Sequence, residues 1–239
     1  MPSASRILEH EPGDLTCIVE SGLRLSELQA ALGEHGQRLS LDPPGDPTIG
    51  ECLLENLSGP LSHRFGTMRD LVIGVTVVLP DGTRASSGGK VVKNVAGYDL
   101  SKVFCGSRGR LGSVERLALR LHPLPESART VVTDRPWAEL HRSQLVPSAV
   151  DLAGDRLHVL FEGSWRAVDA QVAAFGGLED DPWDDLRALQ ATLPGRVRWD
   201  GREAPLVRPG PGVAYVERAP VRNWSPLAER VREALCSPS

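Results

Sequence analysis

Cysteine and aromatic residues are scarce in this sequence. Its 239 residues include four cysteines, two methionines and two tyrosines, and aromatic residues make up 5% of the chain. The four cysteines lie far apart, so no pair has the spacing of a zinc site or a redox motif; they are Cys17, Cys52, Cys105 and Cys236. This scarcity excludes a disulfide-stapled secreted domain and favours reduced thiols in a cytosolic protein.

Long hydrophobic runs and an excess of positive charge are also missing. No apolar stretch approaches the ~20 residues that span a bilayer, and the N-terminal residues have no apolar core of a signal peptide. The net charge is −4 and the pI about 5.9, so the chain as a whole has no basic field for nucleic acid or an anionic membrane. We therefore expect a cytoplasmic protein with no nucleic-acid partner and no direct membrane insertion.

Familiar phosphate, metal and hydrolase motifs are absent as well. No Gly-x-x-x-x-Gly-Lys-Ser/Thr string occurs, and the run SRGRLGS precedes a predicted strand, whereas a Rossmann fingerprint follows one. The six histidines show neither metal-ligand spacing nor an obvious Ser or Cys partner. The residue pattern therefore predicts no metal site and identifies no catalytic residue.

The patterns that are present indicate an α+β fold. Strands are predicted at residues 15–20, 71–79, 117–121 and 213–217, with a hairpin at the sequence PDGT and a second hairpin at residues 149–161. Helices are predicted in SELQAALGEHG, with Ser26 and Gln29 at capping-box spacing, and in a short segment capped by Asp99. Further helices are predicted at residues 165–175, 179–191 and 226–235.

Composition changes along the chain and predicts two domains. All five tryptophans lie after residue 130, whereas the long glycine-bearing loops lie between Gly45 and Gly112. We expect a site-bearing N-terminal domain at residues 1–125 and a smaller C-terminal domain at residues 126–239. Residues 88–112 gather six glycines and five basic residues, which suits an anion site reached by backbone N–H groups. Solvated loop charges, with Tyr98 packed on the sheet beside a capping Asp99, explain the same stretch without a ligand.

A series of motifs in this region resembles a known family. The sequences SGLRLSELQAALGEHG, LSLDPPGDPTIGE, LSGPLSHRFGTMRDLVIGVTVVLPDGT and GGKVVKNVAGYDLSKVFCGSRGRLGSVERLALRLHPLP occur in the order and spacing found in the FAD-binding subunits of bacterial glycolate oxidases, which are PCMH-type FAD-linked oxidases. The resemblance covers about residues 10–125. It implies a PCMH-type FAD-binding domain, represented mainly by its second subdomain with a mixed or antiparallel sheet and flanking helices. A smaller α+β cap-like domain would follow.

The same resemblance implies a set of residues for non-covalent FAD binding. One group would line the diphosphate and the ring: Pro43, Pro44, Thr48, Ile49, Gly50, Ser58 and Gly59. Arg64, Gly66 and Asp70 would shape the same wall. Main-chain contacts would come from Gly109, Leu111, Gly112 and Val114. The Gly97-Tyr98-Asp99-Leu100 turn would hold this last loop against the sheet.

Three departures from the family bear on this expectation. The family's glycine-rich diphosphate loop would precede the first residue of this sequence, which makes the chain look N-terminally shortened or its true start codon lie upstream. Glu51 stands where the family has a second glycine, and its carboxylate would repel a diphosphate. The closing Asn-Pro-Gly signature is also missing from the C-terminal residues.

Two functions remain open at this point. The resemblance implies an FAD-dependent oxidoreductase subunit that takes part in oxidation of a small 2-hydroxy acid, beside a second flavoprotein subunit and an iron–sulfur subunit. Those partners would provide any association with a membrane. The alternative is a non-catalytic assembly subunit that no longer binds FAD. The resemblance supplies no catalytic base for either case.

Overall fold

The computed structural model describes residues 5–88 and 100–218, which form two lobes. The N-terminal lobe contains strands β1 Ile7–Glu11, β2 Thr16–Glu20, β3 Gln37–Arg38, β4 Val72–Val78, β5 Arg84–Gly88, β6 Ser113–Arg120 and β7 His122–Pro123. Its helices are α1 Leu25–Gly33, α2 Ile49–Glu55, α3 Ser62–Phe65, α4 Met68–Leu71 and α5 Leu100–Phe104.

A five-stranded antiparallel sheet forms the centre of the N-terminal lobe, in the order β1-β2-β6-β4-β5. Strand β4 alternates between buried and partly buried residues except at Gly74 and Val75, which are both buried, because one face of the sheet is covered by helices. Helix α1 buries Leu25, Leu28 and Leu32, which recur at three- and four-residue spacing on one side. These side chains join one hydrophobic core with residues of β2, β4 and β6.

The C-terminal lobe begins immediately after β7 with a second antiparallel sheet. Its strands are β8 Ser127–Thr133, β9 Ala149–Ala153, β10 Arg156–Gly163, β11 Leu178–Glu179, β12 Gly195–Arg198, β13 Leu206–Arg208 and β14 Val213–Val216. Its helices are α6 Trp137–Arg142, α7 Trp165–Phe175 and α8 Trp183–Thr192. The strand order is β11-β8-β10-β9-β13-β14-β12, and two separate hydrophobic clusters pack against this sheet.

The structure confirms the predicted fold class and most of the predicted elements. The two hairpins and the helix Trp165–Phe175 lie where the sequence places them, and all the strand pairs in the described residues are antiparallel. The predicted capping box at Ser26 and Gln29 is wrong. Helix α1 begins after Arg24, and the Glu27 carboxylate accepts the Arg24 N–H, while Ser26 bonds to Asp46.

Other differences follow from weak local patterns. The sequence predicted none of the following elements: β1, β3, β8, β11, β12, β13, α2, α3, α4 and α6. It also began the helix of residues 179–191 too early, since α8 begins at Trp183. The predicted Asp99 cap, the Gly97-Tyr98-Asp99 part of the glycine turn and the helix at residues 226–235 lie outside the described residues. The boundary at residue 125 stays a prediction, although β7 pairs in the first lobe and β8 in the second.

Polar contacts join the two lobes. Arg38 on β3 forms a bidentate ion pair with Glu162 on β10, with N···O distances of 2.7 and 2.6 Å. Gln190 on α8 donates to the backbone oxygen of Ser58 at 3.0 Å. Bidentate geometry fixes both distance and orientation, so these contacts define how the lobes meet.

Candidate functional site

A polar cleft of about 510 Å³ lies between the two lobes. Its volume falls within the range of roughly 300–1,000 Å³ that is typical of small-molecule and cofactor sites. The N-terminal lobe contributes Glu55, Asn56, Leu57, Ser58, Cys105, Gly106 and Arg108. The C-terminal lobe contributes Gln190, Pro194, Arg196 and Tyr215.

The end of helix α2 positions the N-terminal wall of this cleft. Asn56 ends the helix in the left-handed conformation, with φ 49° and ψ 53°, which asparagine tolerates better than most residues. Its side-chain oxygen accepts the backbone N–H of Arg69 at 3.2 Å. The loop after α5 docks on the same helix end, because Gly106 N–H donates to Leu53 and Arg108 N–H donates to Leu54. These hydrogen bonds hold the loop after α5 against the end of α2, so that both segments form the same wall of the cleft.

Two arginines give the cleft its positive charge. Arg108 is paired with Glu55 at 3.1 Å, and both side chains are exposed, so their charges largely cancel. Arg196 on β12 points its Nη1 at the backbone oxygen of Asn56, 3.4 Å away. Within residues 5–88 and 100–218, Arg196 has no carboxylate partner. Its guanidinium is therefore the uncompensated charge of the cleft.

A buried polar network lies behind the cleft and includes Arg208. Its Nε donates to Asp151 Oδ1 at 2.9 Å and its Nη2 donates to Gln190 Oε1 at 2.7 Å. Its Nη1 donates to the Tyr215 hydroxyl at 2.7 Å and approaches the backbone oxygen of Ser58 at 3.4 Å. All of these groups are tied to one guanidinium, so the network fixes the C-terminal wall against the 58–59 segment.

Asp42 lies at the edge of the same network. Burial raises the pKa of its carboxyl to about 7, against the opposing effects of Arg208, the Leu61 N–H and Arg187. The Leu61 N–H donates to Oδ1 at 3.0 Å, and an Arg187 nitrogen lies 3.5 Å from Oδ2. Burial likewise raises the pKa of Asp151, and the Arg208 charge opposes that rise. The junction between the lobes therefore contains a carboxyl that titrates close to neutral pH.

Several residues of the first predicted group pack or form hydrogen bonds within the N-terminal lobe itself. Pro43 is buried and Pro44 half-buried, and Ile49 lies in the hydrophobic core with no exposed surface. Thr48 caps helix α2, and a Cβ at Gly50 would approach the backbone oxygen of Ser21 to 2.9 Å. The glycine at position 50 is thus required by close packing of two backbone segments.

Glu51 completes the cap of α2. Its Oε2 accepts the Thr48 N–H at 2.7 Å and the Thr48 hydroxyl at 3.1 Å, and Thr48 accepts the Glu51 N–H in return. This reciprocal capping box satisfies N–H groups at the start of the helix. The carboxylate therefore has a structural role at the opposite end of α2 from the cleft. Its predicted repulsion of a diphosphate stays a prediction.

Ser58 lies in the wall of the cleft, and Gly59 lies beside it. Ser58 is buried and its backbone oxygen accepts from Gln190 of the other lobe. A Cβ at Gly59 would overlap the backbone oxygen of Asp42, so only glycine fits there.

The second predicted group lies elsewhere. Arg64 lines a separate cavity and points its Nη1 at the Ser148 hydroxyl, 3.4 Å away. Gly66 has a φ of 81°, and a Cβ there would approach Asp70 to 2.6 Å. The Asp70 carboxylate in turn accepts the Thr67 N–H at 2.8 Å and caps α4. The structure thus separates Arg64 from Ser58 and gives Gly66 and Asp70 a local structural role.

The residues of the third predicted group come directly after the cleft residue Arg108 in the sequence. Leu111 and Val114 are buried in the core of the N-terminal lobe. A Cβ at Gly112 would overlap the backbone oxygen of Val78, whereas Gly109 is exposed, has a φ of 72° and faces open space. Of these four residues, Gly109 alone has a free backbone surface next to the cleft residue Arg108. The role of all four in FAD binding stays a prediction.

Sequence reasoning missed the C-terminal wall of the cleft. Gln190, Arg196 and Arg208 are not named by any motif, and two of them lie in the Gly-, Pro- and Arg-rich stretch where only one strand was predicted. The sequence does carry one signal for this wall. Arg208 directly follows the apolar residues Leu206 and Val207 in a short strand, and a charged residue that is buried in such a strand requires a polar partner.

Two negative observations apply to the described ranges, residues 5–88 and 100–218. They contain no helix that is long and apolar enough to cross a membrane. They also contain no group of three or more His, Cys, Asp or Glu side chains that could hold a metal ion.

Comparison with a family model and with solved structures identifies the fold. Residues 1–88 match the model of the family described as "FAD binding domain". A solved structure of alkyldihydroxyacetonephosphate synthase superposes with a TM-score of 0.60 at 18% identity, over 73% of this chain and 39% of that one. At this identity the superposition supports the fold alone.

Curated relatives with similar sequences are named as glycolate oxidase subunits and D-lactate dehydrogenases. Glycolate oxidase subunit GlcE of Escherichia coli (strain K12) is 31% identical over 206 residues, which cover 80% of this chain and 59% of that protein. Glycolate oxidase subunit GlcD of Bacillus subtilis (strain 168) is 38% identical over 130 residues, 54% of this chain and 28% of the relative. The mitochondrial D-lactate dehydrogenase [cytochrome] of Arabidopsis thaliana is 39% identical over 123 residues, 52% of this chain and 22% of the relative.

The chain spans between 22% and 59% of the length of these three relatives. The resemblance read from the motifs is confirmed by these matches, and so is the PCMH-type α+β fold. The match of residues 1–88 to the FAD binding domain family, together with these relatives, supports FAD as the cofactor.

Proposed function

We propose that the chain is an FAD-binding oxidoreductase of the glycolate oxidase and D-lactate dehydrogenase type, and that it takes part in oxidation of a 2-hydroxy acid. The proposal is supported by the family match of residues 1–88 and by relatives named as glycolate oxidase subunits and D-lactate dehydrogenases. The observation that carries it is the interlobe cleft, which is lined both by Ser58 of the expected FAD wall and by Arg196 of the second lobe.

The cleft fits part of an FAD molecule in size and charge. Its volume of about 510 Å³ suits the ring or the diphosphate with its neighbouring sugar, and its lining is mainly polar. The guanidinium of Arg196 would pair with phosphate oxygens, since planar guanidinium groups recognise phosphate through two parallel hydrogen bonds. The exposed backbone at Gly109 would allow close approach from the other side.

A bound FAD would supply the redox chemistry that oxidation of a 2-hydroxy acid requires. The residues of this chain would bind the cofactor and fix its orientation. The Arg208 network holds Ser58, Gln190 and Tyr215 in fixed positions in the wall of the cleft. We assign no catalytic base, because the Tyr215 hydroxyl already accepts from Arg208 and Glu55 is paired with Arg108.

A role within a larger complex is part of the proposal. Two of the relatives are named as subunits of glycolate oxidase, which supports a multi-subunit complex. The partners that the family resemblance implies are a second flavoprotein subunit and an iron–sulfur subunit. Co-purification of the tagged chain from its native source, followed by iron and flavin analysis, tests this part. Recovery of the chain without any partner would contradict it.

A titration of FAD against two arginine variants tests the cofactor site. Arg196→Gln removes the uncompensated charge of the cleft, whereas Arg198→Gln removes a charge from the same strand at a residue outside the cleft lining. We expect Arg196→Gln to weaken FAD binding about tenfold or more, the loss typical of a charge-assisted hydrogen bond, and Arg198→Gln to leave it within about twofold. Equal affinities for both variants would show that FAD does not meet Arg196.

A second candidate function is an assembly subunit that does not bind FAD. Ile49 of the expected FAD wall has no exposed surface and Gly50 packs against the backbone of Ser21, and these observations favour it. The same titration distinguishes the two functions, because an assembly subunit would show no saturable FAD binding in the wild type or in either variant.

A further inference from the structure

A second cavity between the lobes is separate from the proposed FAD cleft. It has a volume of about 380 Å³ and we call it the Phe65 pocket. Its lining residues are Arg38, Arg64, Phe65, His122, Pro123, Leu124, Pro125, Glu126, Glu162, Gly163 and Ser164, none of which lines the FAD cleft. Most of its surface is apolar carbon, yet several charged side chains end there. This combination suits a ligand with an apolar body and a charged group.

The Phe65 ring organises the charged groups of the pocket. The guanidinium carbon of Arg38 lies 5.2 Å from the ring centroid and that of Arg64 lies 5.6 Å from it. The His122 ring packs on the same phenyl ring with centroids 4.7 Å apart. Stacking on an aromatic face holds a guanidinium in place and leaves its N–H edge free to donate.

The two arginines differ in how their charge is compensated. The charge of Arg38 is neutralised by the buried carboxylate of Glu162, which accepts a hydrogen bond from each terminal nitrogen of Arg38. Arg64 has no carboxylate partner within residues 5–88 and 100–218, and its Nη1 makes a long contact of 3.4 Å with the Ser148 hydroxyl. The pocket therefore presents one positioned guanidinium that is free to bind an anion.

The remaining walls determine what kind of anion fits. Pro123, Leu124 and Pro125 form an apolar side, and the Leu124 side chain is 45% exposed although it is a large aliphatic residue. Glu126 adds a carboxylate to the lining, and no ion pair to it is found in the described part of the chain. A ligand with one negative charge meets Arg64 and the apolar wall, whereas a second negative charge would be repelled by Glu126.

We propose that the Phe65 pocket is a binding site for small organic monocarboxylates, with the carboxylate on Arg64 and the apolar body of the ligand against Leu124 and the Phe65 ring. This site does not depend on the proposed FAD cleft. Arg64 anchors the ligand, the Arg38–Glu162 pair holds the opposite wall, and Glu126 selects against dicarboxylates.

Calorimetric titration of the full chain with benzoate and with phthalate tests the proposal, because the two probes share a ring and differ by one carboxylate. We expect benzoate to bind with a dissociation constant in the millimolar range or below, and phthalate to bind at least about fivefold more weakly. Arg64→Gln should weaken benzoate binding about tenfold or more. The control Arg142→Gln removes an exposed charge from α6, outside the pocket lining, and should leave binding unchanged.

Two further measurements keep the outcome decisive. Glu126→Gln should bring phthalate binding close to that of benzoate, and urea unfolding of each variant checks that Arg64→Gln is folded. Absence of benzoate binding below about 10 mM, or equal loss in Arg64→Gln and Arg142→Gln, would overturn the proposal. Competition between FAD and benzoate would also overturn it, since Arg64 would then belong to the cofactor site. A chain that binds benzoate but no FAD would refute the proposed function and leave the Phe65 pocket supported.

Discussion

The guanidinium of Arg208 and the carboxylate of Asp151 form a bidentate pair in the interior of the C-terminal lobe, with N···O distances of 2.9 and 3.2 Å. Arg208 is 1% exposed and Asp151 0% exposed. The pair lies on neighbouring strands β13 and β9, and Arg208 also reaches Ser58 of the other lobe. It therefore links the fold of one lobe to the wall of the proposed FAD cleft.

Removal of one partner of this pair should strongly destabilise the protein. Arg208→Met leaves the Asp151 carboxylate buried without its counter-charge, and such losses cost about 3–5 kcal/mol of unfolding free energy. Guanidinium unfolding measures the change. The double variant Arg208→Met with Asp151→Leu should recover a large part of the loss, because no isolated charge remains. A single variant as stable as the wild type would contradict the buried pair.

Gly59 should not tolerate even one methyl group. A Cβ there would overlap the backbone oxygen of Asp42, so Gly59→Ala must shift one of two backbone segments at the lobe junction. We expect a loss of about 2–4 kcal/mol, as for other severe overpacking. Gly33→Ala is the matched control, because Gly33 ends α1 with nothing within 4 Å of a Cβ. Thermal unfolding should show that this control is neutral or slightly stabilising.

Glu51 should matter for stability more than for FAD affinity. Glu51→Ala removes the acceptor of the Thr48 N–H and should cost about 1 kcal/mol in urea unfolding. Glu51→Gln keeps an oxygen acceptor and should unfold like the wild type. FAD titration should give Glu51→Gln an affinity within about twofold of the wild type. Clearly tighter binding would show instead that the carboxylate lies beside the diphosphate, as the departure from the family suggests.

Asp42 should make the unfolding free energy depend on pH. Its pKa is about 7 in the folded protein, above the ordinary value of 3.8 that holds in the unfolded chain, so the folded state binds more protons between these values. Its contribution is fully present below about pH 4, is lost as pH rises to 7, and stays constant above that. The difference amounts to at most about 4 kcal/mol, from three units at about 1.4 kcal/mol each.

The variant Asp42→Asn isolates this contribution. Its amide oxygen can still accept the Leu61 N–H, while the titrating group is gone. The difference in unfolding free energy between wild type and variant, measured from pH 4 to pH 8, should change steadily up to pH 7 and then level off. A difference that does not change over this range would show that the Asp42 carboxyl titrates at its ordinary pKa.

Local sequence patterns predicted β2, β4, β6 and α1 of the N-terminal lobe, because these elements carry their own signals. Strand β4 is β-branched at every residue except Gly74, and helix α1 shows three leucines at helical spacing. The capping box was misplaced since Ser26 also has the right spacing, and the choice between Ser26 and Arg24 depends on Asp46, 20 residues away. Such a tertiary contact has no local signature.

The candidate site was harder to predict, because it forms where the lobes meet. The family resemblance gave a ligand role to Ser58, which lines the cleft, and to Ile49, Leu111 and Gly112, which pack against the protein itself, and all four roles stay predictions. The free charges of the two cavities, Arg196 and Arg64, are distinguished from other arginines by their lack of a carboxylate partner in the described part of the chain. That property depends on three-dimensional neighbours and cannot be read from residue order.

The measurement that tests the proposed function most directly is the visible absorption spectrum of the purified chain after incubation with FAD and removal of the excess by gel filtration. We expect flavin bands at close to one equivalent per chain, which bleach when glycolate or D-lactate is added without oxygen if the chain also holds the substrate. A folded but colourless chain would contradict the proposed FAD cleft and support the assembly-subunit alternative.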